Sequence, residues 1–275
     1  MSPSAVESLL RNDKAIVATG LVATTLLAWL YLLTGAGTGM DPAGMTSLKL
    51  FGRMAMPMQD GAGWSASYWI IMLAMWWVMM IAMMLPSAAP AVLLYARVCR
   101  HNQKTGAASA MPTTAFVLGY LVAWLAFSAA ATALQAGLER IGLLDHMMMW
   151  STDRTLTAAF LLAAGLFQLS PLKSVCLEHC RTPVDFLTRN WRQGTLGALR
   201  MGLHHGAFCV GCCWLLMALL FAGGVMNLIW IGALTIFVLA EKLAPHGGMT
   251  GKASGLLLIA TAAFVLFAPA TAQPM

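Results

Sequence analysis

The stretch that decides the fold reads Trp76-Trp77-Val78-Met79-Met80-Ile81-Ala82-Met83-Met84-Leu85-Pro86-Ser87-Ala88-Ala89-Pro90, inside a run from 66 to 95 that carries no charged residue. A helix crosses a hydrocarbon core in about 20 apolar residues, so this run reads as a membrane span. Further apolar runs lie at 15–34, 113–138, 155–171, 197–222, 225–243 and 252–270. Together they predict an all-α, polytopic membrane helix bundle of about seven transmembrane helices. The composition agrees, with 60% hydrophobic and 9% charged residues against roughly 25% charged in a soluble domain. No soluble domain is left over, so residues 1–275 read as a single transmembrane domain. The run at 15–34 is long for the apolar part of a signal peptide, and Thr34-Gly35-Ala36-Gly37 is a poor cleavage site. It reads as an uncleaved first helix.

Lys and Arg in the short loops set orientation. With a cytoplasmic N-terminus, twelve of the sixteen fall inside and only Lys49, Arg53, Arg140 and Arg154 outside. That predicts a multi-pass protein of the inner (cytoplasmic) membrane. The net charge of +6 is then a topology signal and a contact with membrane lipid headgroups rather than a nucleic-acid footprint, and no nucleic-acid partner is expected. The oligomeric state is not legible. Six cysteines could form disulfides, but Cys176 and Cys180 fall on the reducing side of this topology and Cys209, Cys212 and Cys213 inside a span. Free thiols are expected.

Met72, Met75, Met79 and Met83 keep within about 80° of one another at the helical period, with Met80 and Met84 beside them. Thioethers bind soft ions such as Cu(I) and hold hard ions poorly. Methionine is also a flexible core filler, yet six in the thirteen residues 72–84 exceed what packing requires. The prolines that follow, Pro86 and Pro90, predict a kink. In the fifth span Met201, His205, Cys209, Cys213 and Met217 recur every four residues, so neighbours on this slowly winding ladder can share an ion. Cys209 with Cys212 or Cys213 and His205 could supply a trigonal or linear soft site. Zinc is the less favoured ion, because the surrounding methionines favour copper.

Between spans four and five, Ser170-Pro171-Leu172-Lys173 leads into Cys176 and Cys180. The prolines at 171 and 183 predict a short helix that puts both cysteines on one face, with Lys173 and Arg181 near enough to steady a thiolate. Glu241 and Lys242, at the end of the sixth span, read as a structural pair at the membrane interface. Gln168 and Asn227 read as polar glue between helices. His146 with Met147, Met148 and Met149 forms a further candidate capture segment in an outer loop, and Met40, Met45, Met54, Met56 and Met58 enrich another. No phosphate loop, Gly-x-Ser-x-Gly or His-Glu-x-x-His occurs, and no enzymatic activity is expected.

The run from Trp76 to Pro90, the run Gln168-Leu169-Ser170-Pro171-Leu172-Lys173 followed by Cys176 and Cys180, and the run Cys209-Val210-Gly211-Cys212-Cys213-Trp214-Leu215-Leu216-Met217 resemble the DUF2182 family, over about residues 60–245. That family is described as metal-binding integral membrane proteins and includes a membrane copper chaperone of a bacterial tyrosinase. The resemblance implies metal handling, with Met79, Met80, Met83, Met84, Cys176, Cys180, Cys209, Cys212, Cys213 and Met217 as ligands. The helices at 15–34 and 252–270 lie outside the matched core. The expected function is therefore a membrane copper-binding protein, a chaperone that delivers Cu(I) to a cuproenzyme or receives it from a copper-carrier protein. A passive copper channel or exporter, and a membrane oxidoreductase using the thiols or a haem on His205, are the alternatives.

Overall fold

The structure, a computed structural model, describes residues 3–39, 41–46, 64–102, 110–146, 149–244 and 247–267. Within them the chain forms α1 (Pro3–Leu33), α2 (Pro42–Met45), α3 (Ala66–Asn102), α4 (Ala110–Arg140), α5 (Arg154–Leu169), α6 (Pro171–Arg181), α7 (Pro183–Asn190), α8 (Gly194–Ala218), α9 (Leu220–Gly223), α10 (Leu228–Leu243) and α11 (Gly247–Phe267). The described residues contain no strand.

Five of these helices are long and apolar enough to cross a membrane, or six if α5 and α6, bent 67° apart, count as one span. Each of the seven expected spans falls on a helix. The expected sixth, 225–243, contributes only the 16 residues of α10, about 24 Å at 1.5 Å per residue, short of a 30 Å hydrocarbon core. The α5–α6 bend arises where Ser170 leaves helical dihedrals and caps α6, its hydroxyl accepting the Lys173 N–H, with Pro171 at the first helical position. Two prolines also sit inside α3, and the helix runs unbroken through both, from Ala66 to Asn102.

α8 is the central helix. Its apolar window is 67% buried, against 11% for α1 and 22% for α11, whose Leu26, Leu27, Leu257 and Phe264 stay exposed as lipid-facing residues must. α8 packs on α4 at backbone distance because Gly202 and Gly206, four apart, meet that helix. A Cβ at Gly202 would overlap the Phe116 carbonyl, and one at Gly206 would lie 2.7 Å from the Ala123 Cβ. The close approach places Tyr120 of α4 beside Cys209 of α8, with a contact of 3.1 Å. α5 and α11 meet in the same way at Gly165 and Gly255.

α8 runs antiparallel to α3, since Cys213 meets Met84 while Phe221, just beyond α8, meets Trp76. One core cluster holds the α3 methionines together with Cys209, Cys212, Cys213, Met217 and Met226. A second gathers Tyr95, Phe116, Phe186, Leu187 and Met201 at the other end of α3.

Candidate metal centre

All six cysteines are free, and four of them gather where α6, α8 and α10 meet beside α3. The Cys180 and Cys212 sulfurs are 3.9 Å apart, and Cys213 Sγ lies 3.9 Å from Met84 Sδ. Cys209 is within interaction reach of Cys180, Cys212 and Cys213. Cys176, one turn before Cys180, has its sulfur 3.2 Å from where a Cβ on Gly211 would stand. The glycine between Val210 and Cys212 is what lets α6 lie this close to α8.

A thiolate bond of about 2.3 Å, as zinc makes, held trigonally separates its sulfurs by about 4 Å. The two 3.9 Å gaps have that size, and the donors, thiols and a thioether, are those a monovalent soft ion selects. Among the described residues, however, no three His, Cys, Asp or Glu side chains already converge on a metal position. The thiols of Cys212 and Cys213 instead donate to the Cys209 carbonyl, at 3.1 and 2.9 Å. A rotation about χ1 would redirect them.

The other candidates fall into two groups. Met72, Met75, Met79, Met80, Met83 and Met84 are all fully buried in one core cluster with Met217, and from Met72 to Met84 they cover about 18 Å of axial rise. His205 is buried, with its ring 6.1, 6.0 and 5.2 Å from those of Phe116, Tyr120 and Phe186. These rings leave little room for a haem on that side, while Cys209 is near enough to interact with the imidazole and Nδ1 is buried with no hydrogen-bond partner among the described residues. Met201 also leaves the ladder, because its sulfur accepts the Arg192 N–H at 3.2 Å.

The structure places several polar residues at the centre differently from the sequence reading. Lys242 is buried, with Nζ 2.9 Å from Cys209 Sγ and 3.1 Å from Ser87 Oγ. Glu241 pairs with Lys173 through both oxygens, at 2.6 and 2.7 Å, and both side chains are about 97–98% buried. The interfacial Glu241–Lys242 pair is therefore corrected. These residues are adjacent on α10 and point to different partners, because the bent α6 covers that end of the helix and shields it from water. Lys173 and Lys242 consequently leave the loop tally, which becomes ten to four. Arg181 is likewise engaged away from the thiols, with the Ala244 carbonyl. Gln168 bridges helices as expected, donating to Glu241 and Ser254. Asn227 joins α9 to α10, donating to the Gly223 carbonyl at 3.0 Å, and it also caps α10 by accepting from the Ile229 and Trp230 N–H groups.

Tyr120 was not singled out by the sequence. Its hydroxyl touches both the Met84 carbonyl, at 3.0 Å, and Cys209 Sγ, and so ties α3 to α8 through α4. An aromatic in an apolar run gives no signal of this in sequence. At the far end of the methionine stripe a buried Glu139 accepts hydrogen bonds from Trp64 Nε1 and Gln135 Nε2, both 2.9 Å, and Gln135 Nε2 also lies 3.9 Å from Met72 Sδ. His146 of the expected capture segment meets Glu139, and Met149 is buried. Met147 and Met148 lie outside the described residues, as do Met40, Met54, Met56 and Met58.

A comparison with protein-family models matches residues 73–265 to PpoB2, described as a copper chaperone. The match begins in the methionine stripe and extends into α11, past residue 245. Neither the curated proteins nor the solved structures yield a significant match.

Proposed function

The chain belongs to the PpoB2 copper chaperone family, and from that premise we propose that it is a multi-pass inner-membrane protein that binds Cu(I) and hands it to a cuproenzyme or another copper carrier. Cu(I) is the cargo. Cys209, Cys212 and Cys213 of α8, Cys180 of α6 and Met84 of α3 form the holding site, and the other α3 methionines and Met217 a column of weaker thioether ligands leading to it. Cys176 sits beside the site as the next thiol. Release needs no nucleotide, since soft ligands exchange and the ion moves down a gradient of affinity.

The observation that carries this reading is the meeting of soft donors from three separate helices, with Cys180 3.9 Å from Cys212 and Cys213 3.9 Å from Met84. Sulfur brought together at a distance an ion can bridge is chemistry that packing alone does not need. Tyr120, Ser87 and Lys242 set the position of the ligands by hydrogen bonds to Cys209 and the Met84 backbone. A cytoplasmic N-terminus puts Cys176 and Cys180 on the cytoplasmic side.

The test is elemental analysis of the purified full chain after growth with copper. Wild type retains copper, and a variant carrying Cys209→Ser, Cys212→Ser and Cys213→Ser loses it. Copper-free wild type, or an unchanged triple variant, sinks the reading. Copper flux into sealed vesicles, measured on the same preparation, would favour a channel instead.

A further inference from the structure

The buried Glu139 at the other end of the methionine column has no part in the site above. Its carboxylate, about 97% buried, takes Trp64 Nε1 at 2.9 Å and His146 Nδ1 at 3.1 Å on one oxygen and Gln135 Nε2 at 2.9 Å on the other. A charged group at this depth is costly and is a marker of function. A purely structural role, tying the start of α3 to the end of α4, needs only the Trp64 and Gln135 bonds. The imidazole is the feature that such a latch leaves unexplained, because its side chain is 53% exposed while the carboxylate it meets is 4% exposed.

A carboxylate accepts and does not donate, so His146 must present its Nδ1–H to Glu139. In the neutral imidazole that fixes the tautomer and leaves Nε2 with its lone pair on a ring open to the surroundings. A histidine whose second nitrogen is held by a carboxylate is the arrangement that orients and strengthens an imidazole as a metal ligand. Two further observations connect this ring with the column. Gln135 Nε2 spans Glu139 and the Met72 sulfur, at 2.9 and 3.9 Å, so the carboxylate and the first methionine share one side chain. The Tyr68 hydroxyl, in a ring 5.7 Å from that of His146, is buried and has no hydrogen-bond partner among the described residues. An orphaned oxygen beside a half-open imidazole is a place where a further polar or ionic occupant fits.

We propose that His146, oriented by Glu139, is a copper-exchange site at the mouth of the methionine column, where Cu(I) arriving with or leaving on a ligand of its own binds Nε2 before or after Met72. The proposal rests on the copper reading above. Ligand exchange is the only chemistry involved, since one bond to the ion forms as another breaks and no electron moves. His146 is the ligand, and Glu139 is a positioning residue that acts through it. Gln135 stands between the mouth and Met72, and its amide must turn aside for the ion to pass.

Two readouts on the purified full chain in detergent test it, with Ag(I) and Cu(I) alone as probes. In the first, ion loading of the cysteines is followed in time by thiolate-to-metal absorbance. His146→Ala slows loading by about tenfold or more, since removing the ligand costs no less than removing its outer-shell partner would, and leaves the final copper content unchanged. In the second, Ag(I) protects His146 from diethyl pyrocarbonate in wild type. Glu139→Gln removes that protection about tenfold, and Glu139→Asp restores part of it, which a merely structural carboxylate would not do. Wild-type loading rates in His146→Ala, or no protection by Ag(I) in wild type, overturn the proposal while the cysteine site stands. Copper-free wild-type protein instead defeats the reading on which it rests. Should Glu139→Gln fail to fold, the half-exposed His146→Ala still decides the matter.

Discussion

Replacing Glu241 by Gln removes the partner of Lys173 from a pair whose ammonium meets both carboxylate oxygens at 2.6 and 2.7 Å. With both side chains almost wholly buried, the ammonium has no water to turn to, and breaking such a pair costs about 3–5 kcal/mol. Against a total stability of about 5–15 kcal/mol that is a large share, and melting should fall on the order of 10 °C. The effect reaches function because Lys173 lies in the first turn of α6 and Glu241 in the last turn of α10. The pair holds α6 down and Cys180 over Cys212, so the variant should also lose copper affinity. The assay is thermal unfolding in detergent with copper titration on the same samples, completed by the double variant Lys173→Met with Glu241→Leu. That variant buries no lone charge, and Gln168 keeps its bond to Ser254. It should therefore be more stable than Glu241→Gln alone. A loss below about 1 kcal/mol, the range of exposed pairs, or a double variant no better than the single one, would refute the reasoning.

Other expectations follow from the same geometry. Gly202→Ala should cost about 1–3 kcal/mol as an overpacked contact, since the added Cβ meets the Phe116 backbone. Gly232→Ala, with nothing within 4 Å, should be neutral or stabilising, and thermal melts of the two compare them directly. Met79→Leu with Met83→Leu conserves volume and should change stability by less than about 1.5 kcal/mol, while Cu(I) competition titrations show weaker binding. Unchanged binding would return the stripe to core filler. Asp153 caps α5, and the backbone N–H of Leu156, with that of Thr155, holds its carboxyl below the usual range. A depressed folded-state value means that the cap's contribution is present at neutral pH and is lost as the pH falls through that value. Asp153→Ala should cost about 1 kcal/mol at pH 7, and Asp153→Asn should flatten the acid dependence of melting.

Helices were legible because apolar length and period are local properties. The 66–95 run needed no partner to be read, and Ser170-Pro171 marked the start of α6 by the backbone chemistry of two residues. The grouping of soft donors on α8 was legible for the same reason, since Cys209, Cys212 and Cys213 stand on one helix with Met217. What surrounds them was not. Lys242 looked interfacial because its depth depends on the bend that lays α6 over the end of α10, and no periodicity on α10 reports that. Tyr120 became a neighbour of Cys209 only through Gly202 and Gly206, whose missing side chains set the α4–α8 distance. His205 has the spacing of a ligand, but spacing fixes a direction on one helix and did not show the rings of Phe116, Tyr120 and Phe186 that stand across from it or the Nδ1 that is left without a partner among the described residues.

The burial of the stripe bears on how an ion would move. All six α3 methionines are without solvent exposure, so a Cu(I) ion among them cannot keep a hydration shell and must be passed from sulfur to sulfur. Each step then replaces a packing contact, and Met, with three rotatable bonds and a polarisable sulfur, is the residue that can make the exchange at low cost. The thioethers are neutral and weak, whereas the cysteines at the end of the column are strong donors. Under the proposed function such a gradient would collect the ion at the thiols and would release it only to a partner whose own ligands compete with them. A channel needs the opposite arrangement, with sites of similar weak affinity that the ion leaves as readily as it enters. If weakening the terminus with Cys209→Ser and Cys212→Ser turned the protein into a copper conductor in sealed vesicles, the thiols would be the trap that makes a delivery protein of this column; retained copper binding with no change in flux would place the trap elsewhere.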